Sequence, residues 1–208
     1  MAFSVTVNPY GTVFMAIKPI VKFPVASLKS KAQPVTSFDD DLRLLVADMI
    51  DTMRDAPGVG LAAPQIGVPL RVAVIAGNAT LPEEPAPEEA VADSPPSGPE
   101  FEAVPPLVLV NPEIVAAEGE QVGEEGCLSV RDYFSNVKRF ARIRVKAQDI
   151  DGGPLEFEAE DFFARVIQHE LDHLDGTLFL DRLSSLKRAL YKKRLKKILQ
   201  AEEENEQN

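Results

Sequence analysis

QHELDHLDG, residues 168–176, carries both histidines of this 208-residue chain, His169 and His173, spaced four apart. On a helix that spacing sets the two imidazoles on one face, their Cβ atoms roughly 5 to 6 Å apart. Such a pair suits two ligands of one ion. Glu170, one residue past the first histidine, projects beside the ion, where a general base for an attacking water belongs. Read alone, two histidines four apart can also simply line a buried helix face.

The third donor is the single cysteine, Cys127, in EEGCLSV (124–130). Flanked by Gly126 and by apolar Leu128 and Val130, it reads as a turn running into a strand. A lone buried cysteine is ordinarily a small hydrophobe. Here its thiolate completes a set of three, the number a catalytic divalent site takes from the protein while one position stays open to water. A structural zinc site would close with a fourth Cys or His, and the chain has none left. Cysteine with two histidines suits Zn, Fe(II), Co or Ni, and affinity order alone does not choose among them. A ligand imidazole normally gives its other N–H to a carboxylate or carbonyl, for which Asp172, Glu124, Glu125 and Gln168 are the candidates. Asp172 can instead pair with a basic residue such as Arg139.

Working outward, residues 161–174 form the helix that bears the histidines, and Gly152, Gly153 and Pro154 before it supply the turn of a hairpin. Residues 71–76, 106–110, 113–118, 141–149 and 155–159 read as short strands, several rich in Val and Ile. Residues 38–54 put Leu42, Leu45, Val46, Met49 and Met53 on one stripe at helical spacing, with Ser37 as the cap. Strands preceding a central motif helix predict an α+β fold. The length fits one domain, and 45% hydrophobic residues suffice for a sizeable core. No apolar run approaches a membrane span. The first 18 residues hold one Lys and no Arg, so neither a signal nor a transit peptide is convincing, and one cysteine excludes an intrachain disulfide framework. A cytoplasmic location is expected, without a membrane or DNA partner.

Together with GVGLAAPQ at residues 58–65, the two stretches already quoted match G-x-G-x-A-A-x-Q, E-G-C-L-S and Q-H-E-x-D-H, in order and at every fixed position. In these motifs the chain resembles peptide deformylase. Weaker similarity runs from about Ile20 to LFLDRLS at 178–184. The resemblance implies antiparallel sheets packed around the helix of the HExxH motif, and hydrolysis of the formyl group from the N-terminal formylmethionine of new polypeptides, releasing formate. It implies a metal on Cys127, His169 and His173, Fe2+ in the cell, with Zn2+, Ni2+ or Co2+ substituting. Glu170 then carries the proton, and the Gln65 side-chain amide and the Leu128 backbone N–H stabilise the oxyanion. Gly60 hydrogen-bonds the substrate backbone. By position, Val59, Leu128, Phe162 and Val166 are candidate walls for the methionine side chain. Two other classes stand beside this reading. An HExxH metalloprotease expects a third His or Glu ligand downstream, and a non-catalytic relative would have lost Glu170, Gln65 or a ligand.

The chain departs from the family pattern in four places. Residues 78–105 form an acidic, Pro-rich insertion whose composition predicts a mobile loop. Arg131 stands where many relatives have Pro, and Phe134 where some have Arg. Residues 1–14 precede a family-like start, and Met15 is a second candidate initiator. The C-terminal stretch is basic in a chain of net charge −11, and its Leu183, Leu186, Leu190, Leu195, Ile198 and Leu199 add an apolar helical component. The organisation expected is therefore an extension (1–18), a catalytic domain (19–184), and a basic helix with an acidic tail (185–208). By resemblance, that helix is a candidate to dock on ribosomal RNA, and the alternative is a solvated helix face.

Overall fold

The computed structural model describes residues 16–80 and 104–206. Residues 1–15 of the expected extension and 81–103 of the insertion lie outside the described residues.

Helix α1 runs Asp40–Asp55. Extended Asp39 precedes it, and its carboxylate accepts the Leu42 N–H at 3.1 Å. The cap is thus Asp39 and not Ser37, because a capping side chain must sit directly before the first turn to reach its free N–H groups. Leu42, Val46, Met49 and Met53 are buried on one face, as the helical period requires.

Seven strands follow: β1 (Gly60–Ala62), β2 (Val72–Ile75), β3 (Leu107–Glu118), β4 (Gln121–Cys127), β5 (Val130–Arg139), β6 (Arg142–Gln148) and β7 (Pro154–Glu160). A five-stranded antiparallel sheet has the order β1-β2-β3-β6-β7, and β4 pairs β5 in a separate hairpin. The two strands expected at 106–110 and 113–118 are one, β3, with a register shift between Val110 and Glu113. Asn111, at φ 51, turns the backbone there. Its side chain takes the Val35 N–H at 2.8 Å and donates to the Val35 carbonyl and to Gln148, so the bulge keeps its polar groups satisfied. The β6–β7 turn closes as the Gly152–Gly153–Pro154 run predicts. Gly152 takes φ +86, a left-handed conformation glycine adopts without steric cost, and Asp149 Oδ1 accepts the N–H groups of Asp151 and Gly153. Strands β1 and β4 escape the sequence reading, the first because it is three residues long and the second because charged residues and glycines fill it, whereas β5 is the strand expected after the Cys127 turn.

Helix α2 spans Asp161–Leu174. Ala164, Ile167 and Leu171 pack with Ile75, Leu109, Ile143, Val145 and Ala159 of the large sheet. Each fully buried aliphatic of this kind contributes about 1.5–3 kcal/mol, so the helix is anchored along its length. α1 covers β1 and β2 in a second cluster. A third joins Val130 and Val137 of β5 to Leu178, Phe179, Leu180 and Leu183, and to Tyr191 and Leu195 of α3 (Ser185–Glu206). The apolar side of α3 is therefore Tyr191, Leu195 and Leu199; Leu186 and Leu190, expected on that stripe, are exposed. No helix among the described residues is long and apolar enough to cross a membrane.

Candidate active site

Helix α2 carries His169, Glu170 and His173, and the end of β4 presents Cys127 against it. One donor atom from each of Cys127, His169 and His173 lies within 4.8 Å of the other two. Cys127 Sγ is 3.2 Å from His173 Nε2, and the two imidazole rings stand edge to face with centroids 5.1 Å apart. Three soft donors converge on one point, as an ion held from two helix positions and one strand end demands. Burial, then the charge of His169, push the His173 imidazole well below its ordinary range. It is therefore neutral, the form in which histidine ligates.

The other nitrogen of His169 is spoken for. Nδ1 lies 2.9 Å from Glu125 Oε2, and Arg139 holds the same carboxylate through Nε at 2.8 Å and Nη2 at 2.9 Å. Burial opposes ionisation of Glu125, but the hydrogen bonds from Arg139 and His169 outweigh it and draw its carboxyl down to about 2. A fixed anion at Nδ1 assigns the proton there, which leaves Nε2 as the donor towards the cluster. Burial alone would keep the His169 ring neutral, yet Cys127 and Glu125 beside it hold its pKa well above the ordinary range. Of the four carboxylate and amide candidates, then, Glu125 holds the ring. Arg139 also reaches Asp172 at 2.5 Å, and Asp172 in turn accepts from Arg182. Gln168 bonds the backbone of Phe140 and Ala164, and Glu124 is exposed.

Glu170 is only 3% exposed, and burial pushes its carboxyl up to about 7. Its Oε2 has no hydrogen-bond partner among the described residues. A Cβ added at Gly60 would lie 2.4 Å from Oε1, so only glycine lets β1 pass this close to the carboxylate. Gln65, in the 3₁₀ turn Ala63–Ile66 after β1, is oriented at both ends of its amide. Oε1 accepts the Ala62 N–H at 2.8 Å, and Nε2 faces Ser129 Oγ at 3.3 Å and Cys127 Sγ at 3.7 Å.

These groups open into a cavity of about 350 Å³. Val59, Gly60, Gln65, Cys127, Leu128, His169 and Glu170 all line it, as do Phe162 and Val166. Phe134 and Arg165 line it too. The sequence reading passed over Arg165, although its place four residues before His169 puts it on the same helix face. It also missed Arg182 as the second cation on Asp172, for which no local pattern exists.

An α+β chain in which a Cys-His-His cluster able to hold a metal adjoins a buried carboxylate of raised pKa has the makings of a metal-dependent hydrolase. Residues 17–189 match the model of one family, polypeptide deformylase. Peptide deformylase of Desulfotalea psychrophila is 47% identical over 183 residues, 88% of this chain and 97% of that protein. The Acidobacterium capsulatum enzyme of the same name is 43% identical, over 91% and 99%. Among solved structures, peptide deformylase from Legionella pneumophila matches with a TM-score of 0.72 at 42% identity, over 90% of this chain and 98% of that one. The Ehrlichia chaffeensis enzyme in complex with actinonin matches at 0.73 and 36%, over 88% and 98%. The chain belongs to the polypeptide deformylase family.

Proposed function

We propose that this protein hydrolyses the formyl group from the N-terminal formylmethionine of newly made polypeptides, releasing formate. The observation that carries the reading is the convergence of Cys127, His169 and His173 beside the buried, unpartnered Oε2 of Glu170. The donor set fits a divalent ion: a thiolate, a neutral imidazole and a second imidazole whose far nitrogen is anchored. Bound there, the metal would polarise the formyl oxygen and make water a nucleophile near neutral pH.

The chain supplies the rest. Water adds to the formyl carbon, and Glu170 takes its proton and passes it to the amide nitrogen as the C–N bond breaks, so that formate and a free amine leave. The oriented Nε2 of Gln65 and the Leu128 N–H are the donors for the developing oxyanion. The Gly60 backbone pairs with the substrate main chain, and Val59, Leu128, Phe162 and Val166 surround the methionine side chain. We assign Fe2+ as the ion in the cell, with Zn2+, Ni2+ and Co2+ able to replace it; one thiolate and two imidazoles suit all four. A reducing, cytoplasmic compartment agrees with a thiolate ligand. An HExxH protease is disfavoured because the third donor comes from β4, upstream, and not from a His or Glu after the helix. The catalytic unit is assigned to residues 19–184. The exposed Lys192, Lys193, Arg194, Lys196 and Lys197 of α3 form the face proposed to meet ribosomal RNA.

Formate release from a formyl-Met peptide by anaerobically purified protein, beside Glu170→Ala, with metal quantified in both, tests the central reading. Turnover by wild type and its loss in a still-metallated variant is the expected result. No release by fully metallated wild type would remove it. Reversing the charge of Lys192, Lys193, Lys196 and Lys197 should abolish salt-sensitive ribosome binding, and unchanged binding would discard the docking face.

A further inference from the structure

Along α2, Phe162, Arg165, Val166, His169 and Glu170 all line the one cavity. Their spacing follows one face of the helix, so the cavity extends from Glu170 towards the helix N-terminus by about two turns, roughly 12 Å. A substrate whose formyl carbon sits beside Glu170 therefore sends its first side chain along this face, past Val166 and towards Phe162 and Arg165.

Arg165 is out of keeping with an apolar pocket. Its guanidinium lies over the Phe162 ring, with Cζ 5.4 Å from the centroid. It occupies the room left by a missing side chain on β4: a Cβ at Gly123 would fall 1.7 Å from Arg165 Nη1. No carboxylate pairs with it among the described residues, and its Nε, buried from solvent, has no hydrogen-bond partner. By contrast, the buried Arg139 is matched to two carboxylates. Holding the buried Nε in a cavity wall without a hydrogen-bond partner costs free energy unless something else meets it.

We propose that Arg165 is a specificity-determining residue that reads the outer end of the first side chain, and that it extends the substrate range to peptides whose N-terminal formylmethionine has been oxidised to the sulfoxide. This rests on the deformylase reading above and adds a substrate class to it. A thioether sulfur is a weak acceptor, a methylene none, and a sulfoxide oxygen a strong one. Against the apolar Phe162 and Val166 a sulfoxide would lose hydrogen bonds to water; a guanidinium beside them replaces those bonds with charge-assisted ones. The reacting bond is the same formamide, so no further chemistry is required.

The test compares kcat/KM of wild type and Arg165→Leu on three peptides that differ only in the first residue: formylmethionine, formylmethionine sulfoxide and formylnorleucine. Both sulfoxide epimers are included. Wild type should cleave the sulfoxide peptide, and the sulfoxide-to-norleucine ratio should fall ~10- to 100-fold in the variant, the range of a hydrogen bond to a charged group. Each ratio comes from a single preparation, so it is independent of the fraction that is folded or metallated. An unchanged ratio overturns the proposal, as does a wild type that cleaves the methionine peptide and leaves both sulfoxide epimers intact. Failure on all three peptides would overturn the deformylase reading instead.

Discussion

Glu170 gains its reactivity from its surroundings. Gly60 brings bare backbone against one carboxylate oxygen, and the other lies buried without a partner. That desolvation lifts its pKa to about 7, where a group can both accept and return a proton at neutral pH. The base is the ionised form, present above that value. kcat/KM should therefore fall as pH drops through about 7, approaching tenfold per unit; a profile flat to pH 5 would assign the base elsewhere. Gln65 acts by direction and not by titration, since its Oε1 is tied to the Ala62 N–H and its NH2 end is thereby turned towards Cys127 and Ser129. Gln65→Ala should lower kcat by ~100- to 1000-fold, as loss of one oxyanion donor does, and should cost about 1–3 kcal/mol of stability for the Ala62 N–H left unpartnered. A loss of stability with kcat unchanged would reduce Gln65 to a structural link.

At the scale of elements, the site depends on clamping β4 and β5 to α2. Arg139, at the end of β5, is the clamp: buried, it bonds Glu125 on β4 and Asp172 on α2. Glu125 depends on it most, because a buried anion without a counter-charge is costly, whereas Asp172 also accepts from Arg182. Arg139→Ala should lose about 3–5 kcal/mol of stability, read from a denaturant midpoint, and should loosen metal binding because Glu125 no longer holds His169. Acid attacks the same joint. The Glu125 carboxyl is depressed in the folded chain to about 2, so its contribution is complete above its ordinary pKa and is lost as pH falls from about 4.5 towards 2. Glu125→Gln should flatten that part of the stability curve; an identical acid transition in the variant would place the sensitive group elsewhere.

Among the described residues of the whole molecule, the three larger clusters divide the labour. The large sheet with α2 forms a rigid floor, α1 backs the β1 edge that approaches Glu170, and the third cluster ties the β4–β5 hairpin to α3. Tyr191 and Leu195 make α3 part of this packing while its basic residues stay outside, so one helix closes the core and presents a positive face on a chain of net charge −11. Leu195→Ala should cost about 2–5 kcal/mol and lower the thermal midpoint. An unshifted midpoint would mean that α3 does not dock in solution.

What the amino-acid sequence determined by itself was whatever follows a short period or a scarce residue type. The helical spacing of α1 and α2, the glycine turn before β7, and the Cys-His-His donors could all be named without coordinates, because a helix face is a property of consecutive residues and this chain has only one cysteine and two histidines. The tertiary structure alone decided which polar groups meet. Glu125 and not Asp172 holds His169; Arg182 joins Asp172; Arg165 lies where Gly123 leaves space; Asn111 turns two expected strands into one; and Tyr191 turns inward while Leu186 and Leu190 do not. Each outcome depends on a contact between segments far apart in the chain, or on which side of a half-apolar helix finds a partner, and residue spacing carries no information about either.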